Sequence, residues 1–396
     1  MLKALVALVL TAILGYFLVR HSKEIRSNVA ERDSIAYWTA GRLLLAHQSP
    51  YDTRAVLTLE TESGYVKDKP LVLRTPPWSL FMVLPLGFLG PLGAWVLWTA
   101  ISLSSMLIAM RICWTVYRVE GVTHNLFSLV SYTFAPVPAC LVAGQMGLVL
   151  LLGLMLFLWW ERDRPFWAGA ALILPFAKPH LLSLFWLAVL FWVIVGKRRA
   201  VAFGLAAALV LATGLALAFD PSVFRHYREM VSEAAISFEF IPAVSGVLRL
   251  LFFRRFFWIQ FIPMFAGLLW AASFLWRHRE NWNWRQHAPI LLVASVLTTP
   301  YAWLTDEVVL LPAILQAVAF VYQTRIKMNI GTRMALIAFA LLDGLLLLIL
   351  RFKIPFSTGI YFWSSLVWFS WYFYAYRLHS RSSHSEDSLH VEKSAH

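Results

Sequence analysis

The chain of 396 residues is 60% apolar and only 14% charged, whereas soluble domains average about 45–50% apolar and 25% charged residues. The apolar excess runs through nearly the whole chain, which excludes a soluble globule, a disordered chain and a collagen-like fibre. The net charge of +13 comes mostly from short basic clusters between apolar segments. We attribute it to membrane topology and expect no nucleic acid partner.

The apolar segments are continuous rather than alternating, which favours membrane helices over an outer-membrane barrel. Residues 1–19 predict either a first membrane helix or a signal peptide. We favour the membrane helix, because no clear small-residue cleavage site follows. The sequence therefore predicts an all-α polytopic membrane protein with about 12 spanning or half-spanning helices. The other apolar segments lie near 78–110, 125–142, 147–160, 166–177, 180–195, 200–219, 257–276, 288–303, 307–323, 334–350 and 357–376.

The basic residues between these segments predict the orientation, because cytoplasmic loops of membrane proteins are rich in Lys and Arg. With the N-terminus in the cytoplasm, clusters such as 197–199 and 325–333 fall inside, as does the tail. We predict an integral protein of a bacterial-type plasma membrane with both termini cytoplasmic. The long connections 21–77 and 220–256 then lie outside, and residues 378–396 form a disordered tail.

The first outer connection contains a helical run of apolar residues over 33–47, which predicts an amphipathic helix on the membrane surface. Asp33 precedes this run, so it serves either as the helix N-cap or as a general base at the membrane surface. Tyr37 and Gly41 follow on the same face, where the glycine leaves room for a ligand. Asp52 ends a turn after this helix.

A few polar residues interrupt or flank the apolar segments on the predicted outer side, and membrane-embedded charges are functional candidates by default. Lys178 and His180 either form a loop with a snorkelling lysine or contact a phosphate. Gln145 is either a turn residue or forms a hydrogen bond with a ligand. Asp306 either caps a helix, binds an acceptor hydroxyl or helps to hold a metal ion. Basic residues on this side, such as Arg254, suggest an anionic ligand or lipid headgroups.

Several of these residues occur in an order that resembles glycosyltransferase family 87, a family of multi-spanning membrane enzymes. The pieces are Asp33-(x3)-Tyr37-(x2)-Ala40-Gly41, Ser49-Pro50-Tyr51-Asp52, Pro76-Pro77, Pro85-Leu86, Gly144-Gln145, Ala168-Gly169 before Lys178-Pro179, Ser245-(x2)-Leu248-Arg249, and Pro300-Tyr301 with Asp306. The sequence departs from the family where Met146 and Gly147 replace a frequent asparagine and where Asp306 replaces a histidine. These departures concern the acceptor more than the reaction.

The resemblance implies an inverting hexosyltransferase that uses a polyprenyl-phosphate sugar, for which we expect mannose, and a lipid or glycan acceptor at the extracytoplasmic face. Residues 1–377 would be one transmembrane catalytic domain in contact with membrane lipids. No cofactor is implied, although a divalent metal is not excluded. The family's catalytic base corresponds to Asp33. We expect Lys178, His180, Arg74 and Arg254 to bind the donor phosphate, and Tyr37, Asp52, Gln145, Tyr301 and Asp306 to bind substrate.

Two other classes remain open from the sequence. A secondary transporter or lipid flippase would also use broken helices and buried polar groups. A structural membrane scaffold would not gather Asp33 and Lys178 in one site. The long first outer connection, the lack of a visible repeat and the one-sided polar residues favour the transferase.

Overall fold

The computed structural model describes residues 28–233, 240–252, 255–323, 330–356 and 358–394, with side chains up to residue 381. The first predicted membrane helix, residues 1–19, lies outside these ranges. The described residues form α-helices and 3-10 helices without any β-strand, and several of the helices are long and apolar enough to cross a membrane. The prediction of an all-α polytopic membrane protein is confirmed.

The α-helices have the following bounds: α1 (Ser34–Leu45), α2 (Thr53–Glu62), α3 (Pro91–Tyr117), α4 (His124–Thr133), α5 (Pro136–Ala143), α6 (Gly147–Trp160), α7 (Pro165–Ala171), α8 (Ser183–Val195), α9 (Arg199–Phe219), α10 (Val223–Glu233), α11 (Val244–Phe252), α12 (Ile262–His278), α13 (Trp284–Thr298), α14 (Leu311–Gln323), α15 (Ile330–Arg351) and α16 (Ser364–Ser394). The 3-10 helices are Pro77–Met82, Leu84–Phe88, Pro175–Ala177, Pro179–Leu182, Phe257–Phe261, Asp306–Leu310 and Gly359–Tyr361.

Among the described residues, the segments with the length of a full span are fewer than the 12 spanning or half-spanning helices predicted. Within the described residues, five helical segments are long and apolar enough to cross a membrane, or seven if two bent helix pairs count as one span each. The bent pairs are α4 with α5, at 50°, and Pro165–Ala177 with Pro179–Val195, at 116°. The difference arises because Pro and Gly divide several apolar segments into helices too short to span the bilayer core alone.

The last helix, α16, continues through most of the segment predicted as a tail. Neither Pro nor Gly occurs after residue 377 to end the helix. The disorder of residues 378–396 in solution and the domain boundary stay predictions.

The chain divides into two compact units, of which the first, unit 1, comprises Met1–Ala100 and Ala212–Ala234 and the second, unit 2, comprises Ile101–Leu211 and Ala235–His396. That residues 1–377 act as one catalytic domain stays a prediction.

In unit 1, helix α1 is buried on nearly all sides, and its exposed exception is Arg42 in the last turn. A methyl group at Gly41 would overlap the carbonyl oxygen of Val83, and one at Gly87 would overlap the backbone of Gly41. The backbones of α1 and the 3-10 helix Leu84–Phe88 therefore touch. The predicted helix exists, but its placement on the membrane surface was wrong, and the space beside Gly41 holds backbone rather than a ligand.

In unit 2, helix α14 is buried along most of its length, and polar bonds tie it to the neighbouring helices. The hydroxyl of Tyr372 donates to Oε1 of Gln316 at 2.7 Å, and Nε2 of Gln316 donates to the carbonyl oxygen of Arg285 at 3.1 Å. Because buried polar groups are costly unless paired, these bonds fix α16 and α13 against α14. They form the frame that carries the polar residues described next.

Candidate functional site

Lys178 lies at the corner of the broken span in unit 2. It separates the 3-10 helices Pro175–Ala177 and Pro179–Leu182 with φ −129° and ψ 68°, because a residue before proline avoids the α conformation. The side chain is only 14% exposed, and its Nζ donates to Oδ1 of Asp306 at 2.6 Å. Oε1 of Gln145 accepts a second, longer bond from Nζ at 3.4 Å. Three of the predicted site residues thus meet in one buried cluster.

Asp306 is held from two sides. Oδ1 accepts from Lys178, while Oδ2 accepts from the backbone N–H of Trp303 at 3.1 Å. The backbone N–H of Asp306 donates in turn to the carbonyl oxygen of Trp303 at 2.8 Å. Its side chain therefore closes the turn before the 3-10 helix, and Thr305 rather than Asp306 occupies the N-cap position. This arrangement holds the carboxylate rigidly beside the lysine.

Three glycines place these side chains. Gly144 ends α5 in the left-handed conformation with φ +72°, which a side chain would disfavour, and it turns the chain so that Gln145 starts the approach to α6. A Cβ at Gly147 would lie 2.7 Å from the carbonyl oxygen of Thr305, and a Cβ at Gly153 would lie 2.8 Å from that of Ala171. Helix α6 therefore touches both backbones that carry the ion pair.

His180 and Tyr301 belong to an aromatic group next to the ion pair. Their rings are 5.6 Å apart in an edge-to-face arrangement, and the hydroxyl of Thr299 donates to the carbonyl oxygen of His180 at 3.0 Å. The ring of Tyr301 also packs against Phe257, and the guanidinium of Arg249 lies 5.4 Å from the centre of the Phe257 ring. Arg249 is 4% exposed, so a second cation is buried in this group.

The neighbouring carboxylates Asp306 and Glu307 point to different partners. Oε1 of Glu307 accepts from the hydroxyl of Ser364 at 2.6 Å, and Oε2 accepts from Nε1 of Trp368 at 2.8 Å. Glu307 thus anchors α16, and the pair does not converge on one point. Across the described parts of the chain, no group of three His, Cys, Asp or Glu residues is arranged to hold a metal ion, and the cofactor requirement stays a prediction.

The predicted base, Asp33, belongs to unit 1. It occupies the N-cap position of α1, but its side chain makes no capping hydrogen bond, so the capping interpretation is not supported. The pKa of Tyr65 is raised to about 12, first by burial and then by the negative charges of Glu60, Asp33 and Glu31. Asp33 therefore lies in an acidic environment near a buried tyrosine. Its convergence with Lys178 stays a prediction.

Two other predicted residues of unit 1, Tyr37 and Asp52, have clear structural contacts. The ring of Tyr37 is buried and packs edge-to-face on Trp98, with 4.8 Å between the ring centres. Asp52 caps α2, because its Oδ1 accepts from the backbone N–H groups of Arg54 and Ala55 at 2.9 and 3.2 Å. Arg74 is exposed, and Arg254 lies outside the described residues. Substrate contacts of these four residues stay predictions.

Sequence reasoning missed residues whose importance depends on distant partners. Gly147 and Gly153 matter because other backbones touch them, and Arg249, which appeared only within a family motif, is buried beside the aromatic group. In the motif Ser49-Pro50-Tyr51-Asp52, Tyr51 is buried and its hydroxyl donates to the carbonyl oxygen of Thr75 at 2.9 Å. An aromatic residue inside a polar turn was the one available signal for Tyr51.

The model of glycosyltransferase family 87 matches residues 75–349. This region contains Lys178, Gln145 and Asp306, whereas Asp33 lies before its first residue. The comparisons with curated proteins and with solved structures found no match. Because the family model covers more than half of an integral membrane chain whose buried polar cluster falls within the match, the chain belongs to glycosyltransferase family 87 and is a membrane glycosyltransferase.

Proposed function

We propose that the protein transfers a hexose, with mannose as the expected sugar, from a polyprenyl-phosphate donor to a lipid or glycan acceptor. The reaction inverts the anomeric carbon and takes place on the extracytoplasmic face of a bacterial-type plasma membrane. The observation that carries the proposal is the family match over 75–349. The buried Lys178 within it supports a lipid-phosphate donor, because a lysine in a site with little water binds phosphate as a point charge.

In the proposed reaction the acceptor hydroxyl oxygen forms a bond to the anomeric carbon while the bond from that carbon to the phosphate oxygen breaks. The electron pair of the broken bond stays on the departing lipid phosphate, and the hydroxyl proton passes to the carboxylate of Asp33. General-base catalysis of this kind contributes about 10²–10⁴ in rate. The cation of Lys178 stabilises the negative charge that develops on the phosphate.

The geometry of unit 2 supports a division of roles. Nζ of Lys178 is held by Asp306 and Gln145, with the shorter bond going to Asp306 at 2.6 Å. Because both oxygens of Asp306 already accept hydrogen bonds, we assign it the positioning of Lys178. Each carboxylate oxygen has a second lone pair, and we propose that one of these accepts from the acceptor hydroxyl. His180 and Tyr301 then line the same donor site.

A charge-matched pair of variants tests the role of Lys178. Lys178→Met leaves Asp306 buried without its cation, which typically costs about 3–5 kcal/mol of folding free energy. The double variant Lys178→Met with Asp306→Asn removes both charges and should regain most of that stability. We expect both variants to lose donor binding, measured with a polyprenyl-phosphate mannose in nanodiscs. Recovery of donor binding in the double variant would show that Lys178 is only structural.

Asp33→Asn tests the base. Asn keeps the size and shape of the Asp side chain but removes its basicity, so the variant should fold and bind donor while transfer falls by about 10²–10⁴. The matched control is Asp68→Asn, since Asp68 is an exposed carboxylate of the same unit to which no role in the reaction is assigned. Transfer by Asp33→Asn at the wild-type rate would move the base elsewhere. Failure of the wild type to use any polyprenyl-phosphate sugar would overturn the proposed donor.

A further inference from the structure

Asp220 and His226 of unit 1 form an oriented pair that the proposed chemistry does not use. Nδ1 of His226 lies 2.7 Å from Oδ2 of Asp220, and the side chains are 25% and 7% exposed. Oδ1 of Asp220 accepts from the backbone N–H of Ser222 at 2.9 Å. With both oxygens engaged the carboxylate is fixed, and it orients the imidazole by accepting its Nδ1–H.

This orientation leaves the other ring nitrogen, Nε2, available to a ligand. Within the described residues no side chain or backbone group is bonded to Nε2 of His226, and the ring is partly exposed. A neutral imidazole whose Nδ1 carries the proton presents a lone pair at Nε2. Such a nitrogen accepts a hydrogen bond from a hydroxyl group.

The residue after His226 belongs to an aromatic pair. Tyr227 follows His226 on α10 and is half-buried, and its ring centre is 5.3 Å from that of Tyr51. Tyr51 is 3% exposed and its hydroxyl is bound to Thr75. Burial raises the pKa of Tyr51, and the charges of Tyr227 and Asp220 raise it further, which agrees with the proximity of these groups. Tyr227 therefore rests on a rigid support beside the dyad.

We propose that Asp220, His226 and Tyr227 form a carbohydrate subsite that binds the acceptor sugar. A pyranoside ring has an apolar face of C–H groups, which suits the ring of Tyr227, and an edge of hydroxyl groups, which suits Nε2 of His226. Sites for such ligands combine aromatic surface with a few fixed polar groups. The inference rests on the proposed function, and Asp33 belongs to the same compact unit.

The simpler role for the pair is to secure the start of α10, and two variants separate the roles. The side-chain amide of His226→Asn can donate to Asp220 as Nδ1 does, but it has no group in place of Nε2. The amide of His226→Gln reaches the Nε2 position instead. If the pair is only structural, His226→Asn should keep more transfer activity than His226→Gln. If the pair binds sugar, His226→Gln should keep more.

The measurement is initial transfer rate to octyl glycosides from a polyprenyl-phosphate mannose, with acceptor and donor KM determined separately. We expect His226→Asn to raise the acceptor KM about two- to tenfold, which corresponds to the loss of one net hydrogen bond. The donor KM should stay unchanged, and His226→Gln should restore part of the acceptor KM. The control is His47→Asn, another histidine of unit 1, whose Nδ1 bonds the carbonyl oxygen of Phe219.

An unchanged acceptor KM in His226→Asn overturns the subsite and leaves the proposed function standing. Donor hydrolysis by the wild type without use of any octyl glycoside does the same. Absence of every reaction with the lipid-phosphate donors overturns the proposed function itself, and the subsite with it.

Discussion

Glu60 on α2 is a fully buried carboxyl group, and its replacement by glutamine isolates the cost of ionising it. Oε2 accepts the backbone N–H of Leu71 at 3.0 Å, while Oε1 is buried without a hydrogen-bond partner among the described residues. Burial raises the pKa of Glu60 to about 7, and the bond from Leu71 opposes part of this rise. The carboxyl group therefore holds a proton at a pH where an unfolded glutamate has lost it.

The sign and size of the effect follow from this shift. The folded pKa, about 7, lies above the ordinary value of 4.5, so the folded state binds the proton more tightly than the unfolded chain. The resulting stability is fully present below about pH 4.5 and is lost as the pH rises to about 7. At about 1.4 kcal/mol per pKa unit, the cost to the wild type is about 1 kcal/mol at pH 5 and about 3 kcal/mol at pH 8.

Glu60→Gln keeps the shape and an acceptor for Leu71 but cannot ionise. We expect its unfolding free energy, relative to wild type, to increase by about 2 kcal/mol between pH 5 and pH 8. The assay is thermal unfolding in one detergent at several pH values, with the exposed Glu62→Gln on the same helix as the control. Parallel pH profiles for wild type and Glu60→Gln, or a variant that becomes relatively weaker at pH 8, would refute the reasoning.

Two further predictions concern packing and topology. Gly153→Ala should lower stability by about 1–3 kcal/mol, because its Cβ meets the backbone of Ala171. Gly344→Ala has open space around it and should stabilise its helix by roughly 0.5–1 kcal/mol. Thermal unfolding compares the two variants, and equal effects would contradict the close packing at Gly153. In the proposed topology an impermeant thiol reagent should label Thr61→Cys in intact cells but not Glu280→Cys, and both native cysteines are buried. The reverse labelling would invert the proposed orientation.

Local chemistry made part of this architecture predictable. The helix after Asp33 begins where the sequence indicates, because the apolar run has helical spacing and a turn follows it. The corner at Lys178 was predictable because Pro179 restricts the residue before it. These features depend on residues adjacent in the chain, which a single sequence displays directly.

The remaining features depend on contacts between distant segments. Asp306 pairs with a lysine 128 residues away, and no local pattern distinguishes that role from capping a helix. The burial of α1 depends on Gly87 meeting Gly41, so hydrophobic spacing alone placed the helix wrongly on the membrane surface. Asp52 and Tyr51 are neighbours in one motif, but only the fold indicates which of them caps a helix and which is buried.

The pairing of Lys178 with Asp306 also bears on how a catalytic cycle ends. The pair has no net charge before any substrate arrives, so the charge of Lys178 is already compensated by Asp306. A lone buried lysine would hold the lipid phosphate product tightly, because nothing else nearby would compensate its charge. Here the carboxylate, already 2.6 Å from Nζ, competes with the product for the same cation. In the proposed reaction that competition favours release of the spent lipid carrier, and turnover would slow if the carboxylate were neutralised.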